Sequence, residues 1–299
     1  MADNWRVLDF TDFEGTLGFE KSKGAILIIY KETGEIIEEH VRDVNIIFVG
    51  IKVRIEPATI YHLSKNDVVV LFCDWKGMPV SGMYPWIHPH SRVAARQRAQ
   101  ASLSMPRAKN AWMRIVKSKI RGQAANLVAM GCEDADRLFE MASSVRSGDP
   151  ANIEARAAKA YWRLVFGPDF RRIPGDTLDS RNALLNYGYT VLRGHSVRAV
   201  LSAGLTPALG ICHCNRANSF ALADDLIEPF RPVTDLEVRR LHEMDLDSKQ
   251  IRYSLLNAAN VPFSYEGATV PTVMKGFAQQ YGRYVEGDEP ILDVPIWGG

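Results

Sequence analysis

The sequence predicts an α+β protein, with an N-terminal β-rich (β-sandwich-like) domain followed by a larger all-α C-terminal domain. Three observations carry this. Up to about residue 85, apolar residues alternate or run in short blocks bounded by turn residues, as strands require. Beyond about residue 107 they recur with the 3.6-residue period of helices that bury one face. Between the two patterns, Tyr84-Pro85-Trp86-Ile87-His88-Pro89-His90 suits neither element and marks a boundary. The expected organisation is a β-rich domain over 1–85, a linker over 86–106 and a helical domain over 107–299. His88 and His90 are read as linker residues rather than ligands.

In the first domain, Trp5 to Phe10 alternates. The runs Gly24 to Tyr30 and Glu35 to Val41 flank Lys31-Glu32-Thr33-Gly34, a hairpin signal in which Gly34 supplies the positive φ. Val44 to Gly50 is a further apolar strand. Pro57 opens a short helix to about Lys65, since proline suits a first helical turn, and Asn66-Asp67 ends it. Val68 to Cys73 reads as a buried strand, and Gly77-Met78-Pro79-Val80 as a turn into the last one. In the second domain the period places helices over 108–130, 134–145, 151–166, 177–203, 219–230, 247–258 and 271–284, with 293–299 as a tail.

The 299 residues are 46% hydrophobic and 24% charged, which excludes a disordered, collagenous or coiled-coil chain. A chain of this length buries roughly three quarters of its unfolded surface. It needs no disulfide or metal to fold. The longest strand-like apolar run, Val68 to Cys73, falls far short of the ~20 residues of a membrane span. Met1-Ala2-Asp3-Asn4-Trp5 lacks the basic head and apolar stretch of a signal peptide. Cys73, Cys132, Cys212 and Cys214 show no framework spacing, so a reducing cytoplasm is expected. The net charge of +1 points to no partner, but its distribution is uneven. From Ser91 to Gly131 there is no acid, against nine bases: Arg92, Arg96, Arg98, Arg107, Lys109, Arg114, Lys117, Lys119 and Arg121. Such a block fits a polyanion or a solvated helix face equally well.

Two clusters could carry chemistry. Asp149-Pro150 reads as a helix start, with Asp149 as cap and Pro150 in the first position. In the helix that follows, Arg156, Lys159 and Arg163 form one basic face. Glu154 lies about 200° round the wheel from Arg156, on the side of Ala158, Tyr161 and Val165. A carboxylate there needs a partner, a proton or a metal, unless the helix dipole alone favours it. In 219–230, Phe220, Ala223, Leu226, Ile227 and Phe230 make an apolar arc, and Asp224, Asp225 and Glu228 fall opposite. By itself this arc is best read as a solvated acidic face. His213 is close enough in sequence to reach Glu228 without being forced to. Asp, Glu and His together suit magnesium or manganese. Cys212-His213-Cys214 lacks the ligand spacing of zinc.

The run Gly210 to Pro232, with His213 followed by Leu222-Ala-Asp-Asp-Leu-Ile-Glu-Pro-Phe-Arg-Pro232, resembles the CRISPR-associated adaptation integrase family Cas-one (Cas1). So do Ile153-Glu154-Ala-Arg-Ala-Ala-Lys-Ala-Tyr-Trp162 and Asn182-Ala-Leu-Leu-Asn-Tyr-Gly-Tyr189 leading to Ala203-Gly204. Val68-Val-Val-Leu-Phe-Cys-Asp74 and Gly77-Met-Pro-Val80 extend the likeness loosely into the first half. The length and the wording around Glu228 look most like the type II branch, although Cys212 and Cys214 stand where relatives often carry histidine or bulkier residues. The resemblance implies a metal-dependent DNA endonuclease and integrase (a phosphodiesterase acting in antiviral defence) that joins 3′-hydroxyl ends of a protospacer duplex to the leader-repeat. It implies Glu154, His213 and Glu228 as catalytic and metal-binding residues for Mg2+ or Mn2+, with Asp225 as a supporting acid. Arg156, Lys159, Arg163, Arg216, Arg231, Arg114, Lys117 and Arg121 become candidates for contacts to double-stranded DNA. It further implies a homodimer, a smaller partner Cas-two (Cas2), and an association with the type II effector nuclease. The competing expectations are a non-catalytic DNA-capture scaffold of the same fold and an assembly protein whose acidic face docks a basic partner.

Overall fold

The structure is a computed structural model that describes residues 6–75, 77, 79–85, 92–176, 178–212, 217–242, 248–263 and 267–298. The chain divides into two compact units, Met1–Pro89 and His90–Gly299.

The first unit contains strands β1 (Arg6–Phe10), β2 (Gly15–Glu20), β3 (Ala25–Tyr30), β4 (Ile36–His40), β5 (Val44–Val49), β6 (Val53–Ile55), β7 (Val69–Cys73) and β8 (Pro79–Met83), with helix α1 (Pro57–Lys65) between β6 and β7. One sheet has the order β1-β5-β7-β8 and the other β4-β3-β2-β6. The first three strands of the one sheet run parallel, and β8 returns antiparallel. In the other, β2, β3 and β4 form an antiparallel meander with β6 parallel to β2. Leu17, Ile26 and Ile28 from one sheet share a core with Phe10, Ile47, Val49 and Val70 from the other and with Leu63 of α1. Burial of these apolar faces against each other holds the sheets together.

The β3–β4 hairpin forms where expected. Gly34 has φ +68° and its N–H donates to the Tyr30 carbonyl at 3.0 Å. Strand β2 was not legible, because Gly15 and Gly18 weaken its strand signature. Gly15 is there for a different reason: a Cβ would lie 2.2 Å from the Ile29 carbonyl oxygen on the neighbouring strand.

The second unit is helical: α2 (Val93–Ala101), α3 (Met105–Ala129), α4 (Ala135–Ser144), α5 (Ile153–Phe166), α6 (Ser180–Ser202), α7 (Ala221–Leu226), α8 (Arg231–His242), α9 (Ser248–Asn257) and α10 (Val270–Glu286). The two long helices α3 and α6 supply much of one continuous core with α5, α8 and α10. Among the described residues, no helix is long and apolar enough to cross a membrane.

Four expectations change in this unit. Helix α2 lies inside the stretch read as linker, and it is packed, with Arg96 donating to Glu286, the Ala203 carbonyl and Gln279. The helix expected over 219–230 is interrupted, because Pro229 has no N–H and its ring opposes the carbonyl four residues back. The chain makes the short α7, a 3-10 turn over Glu228–Phe230, and then α8, which the sequence reading left unassigned. The presumed tail is anchored. Trp297 is buried and donates to Asn126 at 2.7 Å, and the Ser118 hydroxyl donates to the Pro295 carbonyl. Finally, α5 begins at Ile153, not at Pro150. Asp149 does cap it, accepting the Ile153 and Glu154 N–H groups at 2.9 Å each. It does so from a left-handed backbone (φ 46°), which needs Asp149 and Asn152 to turn the chain into the helix.

Candidate active site

Three elements of the second unit meet at Lys119. The residue lies midway along α3, nearly out of reach of solvent. Its Nζ donates to Glu154 Oε1 of α5 at 2.6 Å and pairs with Glu228 Oε2 of the 3-10 turn at 2.7 Å. Two carboxylates from segments 74 residues apart in sequence thus converge on one positive charge. Burial opposes a charge on Lys119, but Glu228 and Glu154 outweigh it, and the ammonium pKa is raised. Glu154 faces this point because the Asp149 cap fixes the first turn of α5, and because its side of the helix is the one turned to the core.

A second cation completes the cluster. Arg231 Nη2 pairs with Glu228 Oε1 at 3.0 Å. Its guanidinium stacks on the Tyr189 ring at 4.5 Å, and Tyr189 in turn donates its hydroxyl to Asp235. Burial drives the Asp235 carboxyl up to about 7, against the Tyr189 hydrogen bond and the charges of Arg231 and Lys119.

The acids of α7 are not a solvated face. All six residues of the helix are buried. Asp224 is held by the Arg193 guanidinium through two bonds, at 2.6 and 3.0 Å. Asp225 Oδ2 accepts the backbone N–H groups of Ile211 and Cys212. It fixes the chain one residue before His213 and does not join Glu154 and Glu228. A helical wheel could not find this, since the covering atoms come from α6 and from the 210–212 segment.

His213 and Arg216 lie outside the described residues, as does Cys214. Among the described residues, no three His, Cys, Asp or Glu side chains form a group that could hold a metal ion. Glu154 and Glu228 do fit one: their oxygens already share a single buried cation at hydrogen-bonding distance, and an oxygen pair of this kind suits a hard divalent ion.

The basic residues divide. Arg96 and Arg107 are turned inward, the one onto Glu286 and the other onto the Tyr284 and Glu289 carbonyls, while the exposed Arg92 also pairs with Glu286. Arg231 is committed to Glu228, so it holds the site rather than standing ready for DNA. Arg114, Lys117 and Arg121 recur along one side of α3, half-buried for the first two and exposed for the third. Arg156, Lys159 and Arg163 are exposed on α5. Lys119 was visible in the sequence only as one of nine bases, and Arg193 not at all. Their partners are distant in sequence.

The family model described as CRISPR associated protein Cas1 matches residues 18–250. The chain is 35% identical over 218 residues to the CRISPR-associated endonuclease Cas1 of Neisseria meningitidis serogroup C (strain 8013), covering 72% of this chain and 70% of the relative. Among solved structures, a casposase bound to integration product superposes with a TM-score of 0.78 at 22% identity, over 97% of this chain and 93% of that one. A CAS1 protein from Thermotoga maritima gives 0.76 at 18% identity, over 96% and 99%. These two likenesses speak to the fold.

Proposed function

The chain belongs to the Cas1 family, and from that premise we propose that it is a metal-dependent DNA integrase and endonuclease of CRISPR adaptation. In this reading it joins the 3′-hydroxyl ends of a protospacer duplex to a phosphodiester of the leader-repeat. The observation that carries the reading is the convergence of Glu154 and Glu228 on one buried cation. With His213, they would hold Mg2+ or Mn2+. Such an ion, when bound, polarises a phosphoryl oxygen and stabilises charge on the attacking and leaving oxygens.

The chain's own residues supply the rest. Arg231 holds the Glu228 oxygen that Lys119 does not, and Tyr189 fixes Arg231 by stacking. Asp225 ties down the backbone at Cys212 and so limits where His213 can reach. Lys119 and Arg231 neutralise two carboxylates that would repel both each other and a DNA phosphate. Cations outside this cluster, on α3 and α5, are suited to the sugar-phosphate backbone and carry no base information. We further propose a homodimer formed through the β-rich unit, a Cas2-type partner, association with a type II effector nuclease, and a cytoplasmic location.

The test is a strand-transfer assay with a 3′-hydroxyl duplex, a supercoiled repeat plasmid and manganese, with and without the small partner. Joined product is expected from the wild type and not from Glu154→Ala or His213→Ala, both folded by circular dichroism. Full joining by either variant refutes the assignment of that residue. Tight, salt-sensitive DNA binding without any joining points instead to a capture scaffold. A monomer by light scattering at micromolar concentration refutes the dimer.

A further inference from the structure

Gly188 of α6 lies against Thr234 of α8, where a Cβ would collide with the threonine methyl group. This approach brings the next residue of each helix together, and the Tyr189 hydroxyl donates to Asp235 Oδ1. Both side chains are buried. The other carboxyl oxygen, Asp235 Oδ2, has no hydrogen-bond partner among the described residues. An enclosed carboxyl with one oxygen unbonded is costly, and asparagine would offer Tyr189 an acceptor without the charge. Packing alone does not account for an acid at this position.

The contact leads on to the carboxylate cluster. Arg231 lies over the Tyr189 ring at 4.5 Å, and its Nη2 pairs with Glu228 Oε1 at 3.0 Å. Its Nε has no partner among the described residues. The placement of this guanidinium thus depends on the ring as much as on Glu228. Arg172 also lies over the ring, at 5.4 Å, and is tied to Asn182 and Asn186 at 3.0 and 2.7 Å. A phenol that donates to a carboxylate carries more electron density on its ring, which strengthens its hold on a cation.

The charged and titratable groups facing Asp235 are Tyr189 of α6, Tyr161 of α5, Lys119 of α3, Arg231 at the start of α8, and Arg172 from the segment before α6. Burial, and then the Asp235 charge, push both phenols well above their ordinary value, so they remain donors. Burial opposes the charges of Lys119 and Arg231, but the carboxylates around them, Glu228 above all, keep both ammonium and guanidinium charged. Asp235, raised to about 7 by burial, is the member of this set that changes charge near neutral pH.

We propose that Asp235 is a positioning residue of the joining site: acting through Tyr189 and Arg231, its carboxylate sets the placement of Glu228 and thereby the affinity of the site for a divalent ion. This rests on the reading of Glu154, His213 and Glu228 as the residues that hold that ion. The ionised carboxylate tightens the Tyr189 contact and draws Arg231 to the ring, and the neutral form relaxes both.

The test is direct binding of Mn2+ to the full chain without DNA, read from the electron paramagnetic resonance signal of the free ion. It is run at about pH 6 and about pH 8, on either side of the Asp235 carboxyl. Tyr189→Phe keeps the ring and loses the donor, and Asp235→Leu loses the acceptor. Each is expected to weaken Mn2+ binding about 10-fold at the higher pH, the scale of losing an outer partner of a metal ligand. The double variant should bind no more weakly than the weaker single, since the two residues act along one line of contacts. Asp235→Asn keeps the acceptor without the charge. It should match the wild type at the lower pH and bind about 5-fold more weakly at the higher. If Asp235→Leu does not fold, Tyr189→Phe and Asp235→Asn decide the matter. Variants that bind Mn2+ as tightly as the wild type at both pH values overturn the proposal, even where their Tm is lower, because Asp235 then serves the core alone. Losses in the two singles that multiply in the double also overturn it. A wild type that binds no Mn2+ overturns both this inference and the reading of the site. The expected Mn2+ pattern without any strand joining overturns the function alone.

Discussion

Replacing Lys119 by methionine keeps the length of the side chain and removes the one charge that Glu154 and Glu228 share. Both N···O distances, 2.6 and 2.7 Å, are short, and Lys119 and Glu228 are nearly enclosed, at 11% and 4% side-chain exposure. Breaking a buried ion pair from one side costs about 3–5 kcal/mol, because the partner charge is left without compensation. Two features pull the value to the lower end: Arg231 still neutralises Glu228, and Glu154 is a quarter exposed and partly screened. About 3 kcal/mol remains, or roughly 6–12 °C in Tm for a unit of this size. The assay is thermal unfolding followed by circular dichroism, in chelator and then in manganese. In chelator the variant should melt lower by that margin. Manganese should raise its Tm by more than it raises the wild type, since an ion that binds only the folded site stabilises by mass action and no longer competes with the ammonium. A Tm within about 2 °C of the wild type in chelator, or the same manganese shift in both proteins, would refute the reasoning.

Three further outcomes follow from two buried polar groups and one close helix approach. Asp235, raised to about 7 in the fold by burial, binds its proton more tightly folded than unfolded. Its contribution to stability is full below its unfolded pKa and lost as pH rises through about 7, up to roughly 4 kcal/mol. Asp235→Asn keeps an acceptor for Tyr189 but cannot ionise, so it should gain stability relative to wild type between pH 5 and 8 in urea titrations; a difference that does not vary with pH counts against this. Asn126 bonds the Tyr161 hydroxyl, the Pro232 carbonyl and the Trp297 N–H. Asn126→Ala leaves buried partners unsatisfied and should cost about 3 kcal/mol in the same titrations, with faster proteolysis at the C-terminal end; wild-type stability would show that Trp297 anchors nothing. Gly188→Ala should destabilise by at least ~1 kcal/mol, since its Cβ would lie 2.4 Å from Thr234 Cγ2 on α8; an unchanged Tm would mean that α6 and α8 do not pack this closely.

Much of this protein was legible from local pattern. The change of period near residue 85 separates the β-rich from the helical part, and the chain divides at Pro89. Gly34 marks the hairpin, Pro57 and Asp67 bound α1, and the Asp149 side chain does cap α5. These features depend on a residue and its near neighbours, so sequence suffices for them. The order of Glu154, the long helix and the segment through Glu228 likewise carries the family resemblance in the sequence alone.

What the sequence misread depends on atoms that arrive from elsewhere. A helical wheel divides residues of one helix into two faces and takes the polar face to be wet. For Asp224, Asp225 and Glu228 that face is covered, and the covering charges, Arg193, Lys119 and Arg231, come from three other elements. Glycines hid β2, though at Gly15 the missing side chain is what lets the neighbouring strand approach. Trp297 looked like the end of a tail until Asn126 gave its N–H a partner. Only the tertiary structure determined that Lys119 is the shared counter-ion of the two carboxylates, while Arg156, Lys159 and Arg163 pair with no acid among the described residues. Burial decides which charges must be neutralised from within, and no local pattern records which side chains will be brought together to do it.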